Sequence, residues 1–218
     1  MTVSRSKQIE LLCKRIAQDH EGWEYISNRF KKKLIGHTIQ IIDMGWSISS
    51  ISASAEPCVG ISNKKIQNIW KIVRGNNPIF SQSIRIMNPV DQRLQYRARI
   101  KDLVADNAEG YIRDVLNIGI RMLEENWDFS SEENFLRNLP ADDPTLSDGK
   151  NGLLEDDSGT RYCIARMLLG DFEYIQDFYN DEVKTKRPKR KSDLEKLMQH
   201  VADMKSAYDK QGILFSIK

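Results

Sequence analysis

At 218 residues the chain is long enough for one domain, or one with a small appendage, and can bury a core without disulfides or metals. Its 40% hydrophobic and 29% charged residues are ordinary for a soluble globular protein, and no apolar stretch reaches the length of a membrane span. The formal charge of +2 hides a segregation: residues 1–109 carry 17 Lys/Arg against 10 Asp/Glu, residues 110–183 carry 6 against 17, and residues 184–218 carry 10 against 4.

The N-terminal MTVSRSKQIELLCKRIAQ lacks the uncharged apolar core of a signal peptide. Cys13, Cys58 and Cys163 are scattered, with the spacing of neither a zinc site nor a CxxC pair. The expected location is the cytoplasm. The charge blocks either neutralise one another within the fold or present separate signs to a partner.

Along the chain, Ile9, Leu12, Cys13 and Ile16 mark one face of a helix over residues 6–18. Residues 23–61 are rich in Ile, Ser, Thr, Trp and Tyr and broken by glycines, which predicts antiparallel strands joined by short turns. Asn63 is placed to cap a helix carrying Ile66, Ile69, Trp70 and Val73. Ile84 and Ile86, then Leu94, Tyr96, Ala98 and Ile100, alternate with polar residues around Asn88-Pro89. That pattern predicts a hairpin with one apolar and one basic face.

From Asp106 the pattern is helical. Asp106 and Glu109 have capping-box spacing, followed by Ile112, Val115, Leu116, Ile120 and Leu123 in a stripe. Ser130 and Glu133 predict a further capped helix, and the polar stretch 140–159 a loop. Two short helices, 160–169 and 171–180, meet at Gly170-Asp171. Ser192 with Glu195 then opens a long amphipathic helix ended by Gly212. The expectation is a single α+β domain over 1–218. A mixed part, 1–105, holds an antiparallel sheet (about residues 23–100) with helices on one face; a mainly helical part, 106–218, follows.

The basic run KTKRPKRK over 184–191 stands out against the acidic block before it. It reads as a solvated linker kept extended by Pro188, as a phosphate contact, or as the internal partner of the acidic loop 141–157. Lys184, Lys186, Arg187, Lys189, Arg190 and Lys191 are its binding candidates. Arg85, Arg97 and Arg99 on the open face of the predicted hairpin are the others.

For catalysis there is no G-x-S-x-G elbow, P-loop or GxGxxG, and His20, His37 and His200 stand alone. A calcium loop ending in Asp148-Gly149 and Glu155 fails where Pro144 and Leu146 replace its first ligands. Glu182-Val183-Lys184 has the Glu-x-Lys spacing that resembles the PD-(D/E)xK nuclease core. The resemblance implies Mg²⁺ held by Glu182 and an upstream acid, Asp171 or Asp157, with Lys184 at the attacking water. In that family the Glu and Lys sit on a strand, whereas this segment reads as a helix end.

Two function classes follow. The first is a non-catalytic protein-binding module: an immunity-type inhibitor, an antitoxin-like partner or an accessory subunit, needing no cofactor or metal. The second is a nucleic-acid-associated protein, with a metal-dependent nuclease as its variant.

Overall fold

The structure, a computed structural model, describes residues 4–34, 36–49, 53–74, 80–83, 87–88, 91–95, 99–100, 105–139, 155–185 and 188–212. They form two compact units. The first comprises residues 1–34, 38–62 and 80–126, the second residues 35–37, 63–79 and 127–218. The fold class is α+β, with an antiparallel sheet in the N-terminal half and mostly helix beyond it.

The first unit opens with α1 (Arg5–Gln18), where the Ser4 hydroxyl accepts a hydrogen bond from the Lys7 N–H. Its buried residues, Ile9, Cys13, Ile16 and Ala17, follow the helical period read from the sequence. Five strands then form one sheet in the spatial order β1 (Trp23–Ile26), β2 (Arg29–Lys33), β3 (Thr38–Asp43), β6 (Cys58–Asn63), β7 (Phe80–Ser83). The β1–β2 turn is the two-residue pair Ser27-Asn28, both at positive φ, the twist that a tight hairpin requires.

Register explains burial in this sheet. Tyr25 lies opposite Phe30 and Phe30 opposite Ile42, and all three are buried on one face with Trp23. One residue along, Ile26, Arg29 and Asp43 face the other way, with Arg29 paired to Asp43. Helix α1 lies on the buried face, where Cys13 meets the Tyr25 hydroxyl. Helix α3 (Ala105–Asn126) packs beside α1 and against β3 through Ala108, Ile112, Val115 and Leu116. It thus belongs with the sheet rather than with the later helices.

The hairpin expected around Asn88-Pro89 is present, and the strands on either side of it take other partners; Ile84, Ile86, Tyr96 and Ala98 lie outside the described residues. Phe80–Ser83 pairs with β6, β8 (Met87–Asn88) pairs with β9 (Asp91–Gln95), and β10 (Arg99–Ile100) pairs with β5 (Ala53–Ser54), which also pairs with β4 (Ser47–Ile48). Alternation marks which side of a strand is apolar. It does not name the strand's partner, which for β7 and β10 comes from elsewhere in the chain.

The second unit is helical among its described residues: α2 (Lys64–Arg74), α4 (Glu132–Arg137), α5 (Glu155–Leu168), α6 (Phe172–Thr185) and α7 (Pro188–Gln211). Ile66, Ile69 and Trp70 of α2 are buried, as are Phe135, Ile164, Met167, Ile175, Leu194 and Leu197 from the other four. The α5–α6 break falls at Gly170, as the sequence indicates. Its φ of +85° closes α5, with the Asp171 N–H donating to the Arg166 carbonyl.

Four boundaries differ from expectation. Helix α7 starts at Pro188, not after Ser192, so residues 188–191 are helical rather than an extended linker. Proline suits a first helical position because the N–H it lacks would have no partner there. Helix α5 begins at Glu155, inside the stretch expected to be loop. Helix α3 begins at Ala105, which puts Asp106 in its first turn instead of capping it. Helix α4 is capped by Ser131, whose hydroxyl accepts from the Asn134 N–H at 3.0 Å, one residue past the expected Ser130. Adjacent serines make that choice invisible to spacing alone.

Candidate functional site

The structure describes some of the residues singled out from the sequence. Asp171 caps α6, its Oδ1 accepting from the Tyr174 N–H at 3.2 Å. Glu182 and Lys184 lie in the last two turns of the same helix. Glu182 is eleven positions beyond Asp171, a rise of about 16 Å along the helix. The alternative acid, Asp157, sits in the first turn of α5. A Glu and a Lys two apart share one face of a strand but not of a helix. The segment is a helix, whereas in the nuclease core the Glu and Lys sit on a strand. Among the described residues, no group of His, Cys, Asp and Glu is arranged to hold a metal ion.

Of the basic candidates, Lys184 falls in the last turn of α6, and Lys189, Arg190 and Lys191 in the first turn of α7. Arg99 is in β10, opposite Ser54. Arg85, Arg97, Lys186 and Arg187 lie outside the described residues, as does the acidic stretch 140–154.

The cysteines offer no nucleophile. Burial pushes the Cys13 thiol up to about 12 and Cys58 up to about 11, and Cys163 is fully buried. None of the three is in a disulfide. Cys13, Tyr25 and Trp46 form a short buried chain in which Trp46 Nε1 donates to the Tyr25 oxygen at 3.2 Å. Burial also raises Tyr25.

Two constellations went unnoticed in the sequence, both within the second unit. The first centres on Glu132, the opening residue of α4, whose side chain is 16% exposed. Its carboxylate accepts from the His37 backbone N–H at 3.1 Å, from Asn63 Nδ2 at 2.9 Å and from Lys65 Nζ at 2.7 Å. His37 Nδ1 sits 3.4 Å from the same carboxylate. Burial works to raise the Glu132 carboxyl, but the Lys65 and Asn63 hydrogen bonds outweigh it and hold the group below its usual range. Gly36 is part of the arrangement, since a Cβ there would stand 3.1 Å from the Glu132 carboxyl carbon. These contacts join His37, Asn63 and Lys65 to the start of α4.

The second joins α5 and α6. The Arg166 guanidinium lies 5.4 Å from the Tyr162 ring centre and 5.2 Å from that of Tyr174. Those two rings meet edge to face at 5.0 Å, and Phe178 stacks on Tyr174 one turn further along α6. All four side chains are partly exposed. Arg166 Nε is buried without a hydrogen-bond partner, and the Asp171 carboxylate approaches it only to 3.7 Å. The pairs Tyr162/Arg166 and Tyr174/Phe178, each four apart, were legible; that Gly170 folds one pair onto the other was not.

Compared with known proteins, the chain matches no family model, no curated protein and no solved structure.

Proposed function

We propose that this protein is a non-catalytic protein-binding module, acting in the manner of an immunity-type inhibitor or an accessory subunit. The observation that carries the reading is the partly exposed cluster of Tyr162, Arg166, Tyr174 and Phe178. Tyrosine and arginine are the side chains that most often anchor protein interfaces, because each offers a large rigid contact together with a polar edge. Ring stacking fixes these side chains beforehand, so less rotamer freedom is lost on docking. We place the protein in the cytoplasm, a compartment in which three cysteines outside any disulfide persist.

The test is affinity capture of the tagged full chain from its native host at physiological salt. A single stoichiometric companion should co-purify, and Tyr174→Ala should release it while leaving the circular dichroism spectrum unchanged. Capture of nothing, or of the same companion by wild type and variant alike, counts against the reading.

A nucleic-acid reading keeps one specific support. Helix α7 opens on Pro188-Lys189-Arg190-Lys191 with no acidic residue in its first turn. Unpaired N–H groups and cations at one helix start favour a phosphate. That reading requires binding to a single- or double-stranded oligonucleotide that weakens steeply with salt and is lost on neutralising Lys189, Arg190 and Lys191 together.

A further inference from the structure

We infer that Arg166, held between Tyr162 and Tyr174, receives a carboxylate from the partner: an acidic side chain set among apolar neighbours in an exposed segment. The inference rests on the protein-binding reading above and assigns its chemistry.

A guanidinium carries five N–H donors in a fixed plane and cannot lose its charge. In Arg166, whose side chain is 28% exposed, the buried Nε has no hydrogen-bond partner among the described residues. Its two tyrosine neighbours contact it through ring faces, which attract the charge but accept little from the N–H groups. Among the described residues the Asp171 carboxylate approaches it, at 3.7 Å, and is already engaged in capping α6 through its other oxygen. Partly buried donors without acceptors are costly, and an acceptor arriving from outside removes that cost. The planar fork matches a carboxylate bidentately.

The surroundings choose between carboxylate and phosphate sources. Asp171, Glu173 and Asp177 all lie within the first two turns of α6. A nucleic-acid backbone, with a charge at every residue, would be repelled along that length. A single carboxylate meets only Asp171. Beside it, the Tyr174 and Phe178 rings stack in line and offer a surface for apolar side chains that flank the acid.

The experiment is a nuclear magnetic resonance titration of the full chain, observing the Arg166 Nε–H signal and the α5 and α6 amides. The probe is a blocked seven-residue peptide with one glutamate between leucines. The controls are the same peptide with glutamine in its place and a single-stranded oligonucleotide at equal ionic strength. The glutamate peptide should shift the Arg166 signal saturably and bind about tenfold more tightly than the glutamine peptide. Arg166→Lys keeps the charge but loses the fork; the α5 and α6 amides should then respond about fivefold more weakly. Equal binding of the two peptides, an unchanged response in Arg166→Lys, or a stronger shift with the oligonucleotide would each overturn the assignment. The capture experiment separates the two claims. A companion retained equally by wild type and Arg166→Lys, but lost from Tyr174→Ala, would leave the protein-binding reading standing and remove the carboxylate.

Discussion

Asn63 caps α2 with its side-chain carbonyl and donates its amide N–H to Glu132 at 2.9 Å, so one side chain both starts a helix and restrains a carboxylate 69 positions away. Its Oδ1 accepts from the backbone N–H groups of Lys65 at 3.0 Å and Ile66 at 3.2 Å. With the His37 N–H on the same carboxylate, three distant segments meet at a single group. Each partner is useful only while the others are in place, which is the condition for cooperative loss.

Asn63→Ala should therefore cost more than an ordinary helix cap. Loss of the cap alone is worth about 1 kcal/mol. The Glu132 carboxylate also loses a donor while remaining mostly buried, which adds about 1–2 kcal/mol. Asn63→Asp keeps the cap but turns a second carboxylate toward Glu132, so it should recover little. Urea unfolding of the three proteins checks this; Asn63→Asp as stable as wild type would mean the Glu132 bond contributes nothing.

The same joint should leave a signature in acid. Glu132 ionises below its usual range in the folded chain, so the native state holds its proton less readily than the unfolded state does. Stability from this group is then fully present above the unfolded value, about 4.3, and is lost as pH falls through the lower folded value. Glu132→Gln should be destabilised at pH 7 by about 1–3 kcal/mol. The gap from wild type should narrow below about pH 4. Denaturant titrations at pH 7, 5 and 3.5 measure it, and a gap constant with pH would show that the carboxylate charge is immaterial.

What was legible in the sequence followed from local rules. The α2 cap, the α3 stripe, the strands of 23–61 and the break at Gly170 each depend on residues within a turn or two of one another. The Glu132 joint was not legible, because its donors lie 67 to 95 positions away. Arg166 needed a fold across Gly170 to meet its second tyrosine. Pro188 suits both an extended run and a helix start, and three cations in that first turn oppose the helix dipole. A capping box four residues further on therefore looked like the better start. The partners of β7 and β10 depend on pairings that no local pattern specifies.

Two glycines with positive φ separate backbone from side-chain obstruction. At Gly45, φ is +55°, and a Cβ would collide with the Glu56 carbonyl oxygen, a backbone atom held by the Glu56 N–H bond to Met44. At Gly170, φ is +85°, and a Cβ would come 2.7 Å from the Tyr208 hydroxyl, the mobile end of a side chain. Gly45→Ala should cost about 2–4 kcal/mol. Gly170→Ala should cost nearer the bare left-handed penalty of about 1–2 kcal/mol, since Tyr208 can swing aside. Thermal unfolding of both variants decides the order, and a reversed order would locate the tighter restraint in the α5–α6 turn.

The buried thiols predict both a reactivity and an alkaline limit. An exposed thiol ionises near 8.5, whereas burial lifts Cys13 to about 12 and Cys58 to about 11. At pH 8 almost no thiolate exists at either site, so a disulfide reagent should label the native protein slowly, and all three cysteines quickly once guanidinium unfolds it. The native state keeps these protons to higher pH than the unfolded chain does. Stability from this source is therefore complete below about pH 8 and falls as pH rises from about 9 toward 12. Burial raises Tyr111 to about 12, which acts in the same direction. Stopped labelling at pH 8 and unfolding followed between pH 8 and 11 test the two halves separately. Rapid native labelling of Cys58, the one partly exposed thiol, would show that β6 opens far more often than a strand inside a five-stranded sheet should.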